Sequence, residues 1–103
     1  MILITVLYPA GAEGSFNRDY YLQTHIPLLK EKWTSMGLED VRLLRGSASG
    51  DGKEAPYQVI ALLTFRSQQD FQKAVQAHGQ EIFADIPKFT SVKPVVQINE
   101  ALG

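Results

Sequence analysis

Two histidines and one aspartate are the residues whose chemistry stands out in this chain: His25, His78 and Asp85. An imidazole acts as general base or general acid near neutral pH without a large shift. A carboxylate such as Asp85 can orient that imidazole, hold its tautomer and favour the imidazolium. His25 lies in Thr24-His25-Ile26-Pro27, with Tyr20 and Tyr21 just before it and Tyr8 at the end of an apolar run. Each has a structural alternative. His25 can be a partly buried histidine bonded to a carbonyl freed by Pro27, and His78 can serve a helix C-terminus. Asp85 before Ile86-Pro87 can cap a turn, and the tyrosines can be packing at the edge of a core. A metal triad of the two histidines and Asp85 is set aside, because no His-x-x-x-His spacing links them; no metal is expected.

The stretch Asn17 to Met36 must position His25. Leu22, Ile26, Leu29, Trp33 and Met36 recur at spacings of four, three, four and three, one stripe of a helix. Phe16 and Tyr21 flank Asn17 as a hydrophobic staple flanks an N-cap, and Gly37 suits the helix end. Pro27 has no N–H for the carbonyl of Gln23 and crowds it. The helix therefore kinks there, or one short helix ends and another begins with Pro27 in its first turn. Either way the backbone beside His25 is irregular.

The remaining elements follow from pattern. Ile2 to Tyr8 is a strand stopped by Pro9, and Glu39 to Ser49 a second, more exposed one. Gly46 to Gly52 reads as a mobile hairpin loop, since it lacks the Gly-Lys-Ser/Thr of a phosphate loop. Tyr57 to Phe65 is the strongest strand. Ser67 to Asp70 resembles a capping box opening a second helix, with Phe71, Ala74, Val75 and His78 on one face and Gly79 at its end. Ile82, Phe83 and Ile86 suggest a further helical turn. Val92 to Ile98 reads as a last strand, with Pro94 at an edge or bulge.

The order β, α, β, β, α, β is the ferredoxin-like α+β arrangement, a four-stranded antiparallel sheet with two helices, in one domain spanning residues 1–103. Two helices cover one face of such a sheet, yet the first and third strands are apolar on both faces. The cheapest cover for the second face is another copy, so a homodimer through the sheet face is predicted. A net charge of −1 supplies no reason to expect nucleic acid or an anionic membrane. With no cysteine, disulfides and thiolate chemistry are excluded. The apolar start MILITVLYP lacks a basic flank and a cleavage site and is too short to span a bilayer. A soluble, cytoplasmic protein is expected.

Val6-Leu7-Tyr8-Pro9, Phe16, Tyr20-Tyr21-x-x-x-His25-x-Pro27-Leu28 and Pro56-Tyr57 together resemble the EthD family. So do Phe71, His78, Asp85-Ile86-Pro87-x-Phe89-Thr90 and Pro94-Val95-Val96-Gln97, which carries the resemblance along nearly the whole chain. It implies the dimeric α/β barrel assembly and an association with ethyl tert-butyl ether degradation beside a cytochrome P450 system. Members are often labelled reductases, but no dinucleotide, flavin or redox-cysteine motif occurs here. Haem is bound by cousins of the fold and could use His25 or His78, but nothing singles it out, and no cofactor is expected.

The resemblance further implies a cleft between the sheet and the helices of each protomer. Tyr8, His25, His78 and Asp85 are then expected to converge on one small apolar pocket. His25 and Asp85 would be the catalytic pair, with Tyr8, Tyr20, Tyr21, His78 and Phe89 binding a small hydrophobic ligand. Two functions fit: a cofactor-independent acid/base enzyme acting on a hydrophobic carbonyl or phenolic metabolite in a catabolic pathway, or a non-catalytic protein that binds or carries one.

Overall fold

A computed structural model describes residues 1–11 and 16–103. Strand β1 (Ile2–Pro9) leads to a helical stretch made of α1 (Arg18–Tyr20), a π-helical turn (Tyr21–His25), α2 (Ile26–Trp33) and a 3-10 turn (Thr34–Met36). Then come β2 (Leu38–Arg45), β3 (Tyr57–Phe65), α3 (Gln68–Asp85), a 3-10 turn (Ile86–Lys88) and β4 (Val95–Asn99). The strands form one antiparallel sheet in the order β2-β3-β1-β4. The helices lie on one face, which is the ferredoxin-like α+β architecture. No described helix is long and apolar enough to cross a membrane.

Alternation along β1 and β3 explains the layering. Ile2, Ile4 and Tyr8 on β1 and Val59, Ala61, Leu63 and Phe65 on β3 are buried beneath the helices. Leu3, Leu7, Ile60 and Leu62 point to the opposite face and are half-buried. Both faces of the central strands are therefore apolar, as their sequence indicates.

Local boundaries differ from the sequence-based expectation in four places. Leu22, expected on the buried stripe, is 53 % exposed, and Tyr21 and His25 take the inward positions. The cause is the π-turn: the Ile26 N–H donates to the Tyr21 carbonyl, five residues back instead of four, so one extra residue rotates the preceding helix surface. Pro27 follows in the first turn of α2, where its missing N–H is tolerated. Gly79 does not end the second helix; α3 runs through it to Asp85, because the apolar spacing of Ala74 and Ile82 continues across it. The second strand stops at Arg45, where the Gly46 N–H bonds the Gln58 carbonyl and the chain turns off. The last strand begins after Pro94, at Val95.

Predicted caps are present. The Asn17 side chain accepts from the Tyr20 N–H and the Ser67 hydroxyl from the Asp70 N–H, while Gly37 takes φ 108° after the first helical stretch. Asp70 turns its carboxylate to Arg66, at 2.6 Å, instead of back to the cap N–H. Near the start of α1, Phe16 bridges to Thr90 and the Asn17 N–H bonds the Phe89 carbonyl at 2.7 Å. That tie fixes the segment after α3 against the π-turn, and it is what brings the C-terminal half of the chain to His25.

Candidate active site

His25 and Asp85 meet although sixty positions separate them: His25 Nδ1 lies 3.0 Å from Asp85 Oδ2. Both are buried, His25 at 3 % and Asp85 at 7 % exposure. The other carboxylate oxygen, Oδ1, accepts the Tyr20 hydroxyl at 2.7 Å and faces the Lys88 ammonium at 3.7 Å. Asp85 is the last residue of α3, so helix geometry and the Phe89–Asn17 tie deliver it to the π-turn together.

Aromatic rings enclose the imidazole. Tyr21 stacks on it, with centroids 5.7 Å apart and planes at 16°, and the Phe89 ring centre is 4.6 Å away. Tyr8 packs edge-on against Phe16, Tyr21 and Phe89 at 5.2–6.0 Å. The expected staple is formed too, since Phe16 and Tyr21 are 5.0 Å apart.

These surroundings set the protonation states. Burial lowers the His25 pKa, and the hydrogen bond and charge of Asp85 offset this only in part. Burial alone would raise the Asp85 carboxyl. The hydrogen bonds from Tyr20 and His25, with the charges of His25 and Lys88, outweigh it and hold the carboxyl below its ordinary value. At neutral pH the pair is thus a neutral imidazole beside a carboxylate. The proton sits on Nδ1, donated to Asp85, and Nε2 keeps its lone pair. Nε2 has no hydrogen-bond partner among the described residues, and no sealed, unpartnered side-chain polar atom occurs among them. Burial also pushes the phenols of Tyr8 and Tyr21 well above the usual tyrosine range, so both stay protonated. The Tyr20 phenol is raised chiefly by its bond to Asp85.

A cavity of about 30 Å³ lies between the sheet and the helices, lined by Tyr8, Tyr21 and His25 at one end and by Trp33, Leu63 and Phe71 at the other. As it stands it holds about two water molecules. Its walls are almost wholly apolar.

Of the predicted site residues, Tyr8, Tyr21 and His25 line this cavity, Asp85 and Tyr20 stand behind the imidazole, and Phe89 packs against it. His78 does not join them. It sits in the middle of α3, pairs with Glu81 at 2.8 Å and is about one-third exposed, because the helix it was expected to end continues for seven more residues. Lys88 was missed; its one sequence signal is the i,i+3 spacing from Asp85. Among the described residues no group of three or more histidines, aspartates and glutamates could hold a metal ion.

Residues 12–93 match the model of the EthD domain. The chain belongs to the EthD family. Among solved structures, this EthD protein is similar to an EthD-like protein of Ralstonia eutropha JMP134, with 28 % identity, 99 % of this chain and 92 % of that one covered, and a TM-score of 0.89. It is also similar to an ethyl tert-butyl ether D (EthD) family protein of Bacillus halodurans C-125, at 20 % identity, 99 % coverage of each chain and a TM-score of 0.69. SnoaB of Streptomyces nogalater, a cofactor-independent oxygenase, shares the fold at 12 % identity, with 99 % and 92 % covered and a TM-score of 0.64. Among curated proteins none matches.

Proposed function

We propose that this EthD protein is a cofactor-independent acid/base enzyme acting on a small hydrophobic metabolite in the cytoplasm, in a catabolic pathway. One observation carries the reading. The buried imidazole is held by Asp85 through Nδ1, which leaves the basic Nε2 as the free ring nitrogen of a residue that lines an apolar cavity. Nε2 takes a proton from a carbon next to a carbonyl, or from a phenolic hydroxyl, and becomes imidazolium. Asp85, kept ionised by Tyr20 and Lys88, stabilises that cation. The proton is then returned at another position or to the product. The apolar walls bind the body of the substrate and keep water from the base.

The test is hydrogen exchange at carbon. A panel of 4-alkylcyclohexanones is incubated with the protein in deuterium oxide, and loss of the α-proton signals is followed by NMR. Wild type is expected to accelerate exchange and His25→Gln to abolish the acceleration while circular dichroism stays unchanged. Binding without exchange in either protein would favour the carrier reading instead. The exchange rate should rise with pH and level off above the His25 pKa, which burial places below 6.5.

The assembly belongs to the same proposal. Leu3, Leu7, Ile60 and Leu62 form an apolar surface on the helix-free face, and two copies would bury it against each other in a dimeric α/β barrel. Sedimentation is expected to find a dimer for wild type and a shift to monomer for Leu62→Lys.

A further inference from the structure

The lining of the cavity beside His25 is least covered where α3 meets β4. Among its lining residues Phe83 and Val96 are the most open, at 40 % and 43 % exposure, while the others are buried or half-buried. Phe83 stands on α3 and Val96 on the edge strand β4, so the mouth lies between the helix layer and the outermost strand. Pairing of Val6 with Val96 and of Ile4 with Ile98 puts both β4 residues on the helix-facing side of the sheet. Ile98 is nevertheless 41 % exposed, because α3 does not reach across β4. Phe83, Val96 and Ile98 therefore form an apolar ledge that runs outward from the mouth.

Of the two exposed wall members, Phe83 has the larger side chain and, unlike Val96, is not β-branched and stiff at χ1. A cavity of about 30 Å³ admits no organic ring without a side chain moving, and the buried walls are held by packing on all sides. Phe83 lies over Gly79: a Cβ there would stand 3.4 Å from Phe83 Cε2 and 2.9 Å from Val75 Cγ1. Glycine weakens a helix interior relative to alanine; at this position it spares a clash with Val75, and the Phe83 ring lies beside bare backbone.

We infer that the ligand is an elongated apolar molecule with a single acidic or enolisable head, which enters head first past Phe83 and lays its tail along Val96 and Ile98. The inference rests on the function proposed for His25 and adds the shape of the substrate to it. A short, globular or doubly polar molecule would leave the ledge uncovered or place a polar group on it.

The probe is a series of 4-alkylphenols, from phenol to 4-octylphenol, titrated by calorimetry. Full burial of a methylene strengthens binding about fourfold, so a tail on a half-open ledge should gain roughly twofold per carbon. Wild type is expected to show that gain. Ile98→Lys, at an exposed position outside the cavity lining, is expected to flatten it while phenol itself binds unchanged, and Val96→Lys, at the mouth, is expected to weaken the long-tailed members most. Phe83→Ala should speed association of every member. If phenol binds wild type and His25→Gln abolishes this, but affinity does not grow with tail length, the ledge is wrong and the acid/base site stands. If no phenol binds, or His25→Gln binds all of them as wild type does, the reading of the site fails and this inference with it. If Val96→Lys instead converts a dimer to a monomer in sedimentation without altering the series, the ledge is a contact between copies and the inference is overturned.

Discussion

The two ends of the interior are built from similar rings for opposite purposes. At one end Trp33, Phe65 and Phe71 meet edge-on at 5.1–6.0 Å, and the Trp33 indole N–H donates to the Ala74 carbonyl at 2.9 Å. Nothing there is ionisable, and every contact favours the fold. At the other end Tyr8, Tyr21 and Phe89 surround an imidazole bonded to a carboxylate, and burial opposes a charge on the imidazole. Stability and chemistry are thus separated within one interior. The π-turn belongs to the polar end, and it is the backbone irregularity that lets His25 face inward while α2 continues undisturbed to Trp33. Irregular helical turns of this kind recur at functional sites.

Breaking the apolar end should cost most. Trp33→Ala removes the largest fully buried side chain and its hydrogen bond, and is expected to lower stability by about 3–5 kcal/mol. That is a large part of what a domain of this size possesses. Urea titration measures it, and a loss under 2 kcal/mol would show that the rings do not carry the fold.

Breaking the polar end should cost less. Asp85→Ala removes two charge-assisted hydrogen bonds, about 3 kcal/mol at the lower figure for each. The contrast sharpens if the cluster is made apolar. Tyr20→Phe, His25→Phe and Asp85→Leu combined should recover much of the loss in urea titration, since buried polar groups replaced together by apolar ones are often neutral in stability. Proton exchange at carbon should not recover.

The pH dependence is a finer test. The folded pKa of His25 lies below its ordinary 6.5, so on acidification the unfolded chain takes up that proton first. The contribution is complete above pH 6.5 and is lost as pH falls from there towards the folded value. Asp85, held below its ordinary 3.8, adds a second loss as pH falls through and below that value. His25→Gln should remove the upper decline from thermal melts between pH 5 and 7 and keep the lower one; an unchanged upper decline would mean that another group causes it.

The smallest effect is expected for Tyr20→Phe. Its hydroxyl helps to hold Asp85 ionised from a partly exposed position, so its loss should move the carboxyl titration upward in NMR and leave the fold intact. A carboxyl that titrates as in wild type would make the 2.7 Å contact incidental.

Sequence pattern carried much of this architecture. Alternation in Tyr57–Phe65 and the apolar stripe from Ile26 to Trp33 were legible because period 2 and period 3.6 are properties of a few consecutive residues. The same holds for the caps at Asn17 and Ser67 and for Gly37. Gly79 misled, because a helix packed along its length tolerates a glycine that an isolated pattern reads as an end. Leu22 misled because one inserted π-turn residue shifts every position before it, and no local composition announces the shift.

By itself the sequence determined the order of the elements, the apolar character of both faces of β1 and β3, and an imidazole beside a proline in the first helical stretch. Each of these depends on neighbours in the chain. Only the tertiary structure decided that Asp85 rather than a freed carbonyl partners His25, that Tyr20 turns to that carboxylate, and that His78 stands apart with Glu81. Those outcomes depend on how α3 is aimed, and the aim is set by its full length and by the backbone tie from Phe89 to Asn17. Distances between residues sixty apart follow from packing as a whole, which no run of adjacent side chains encodes.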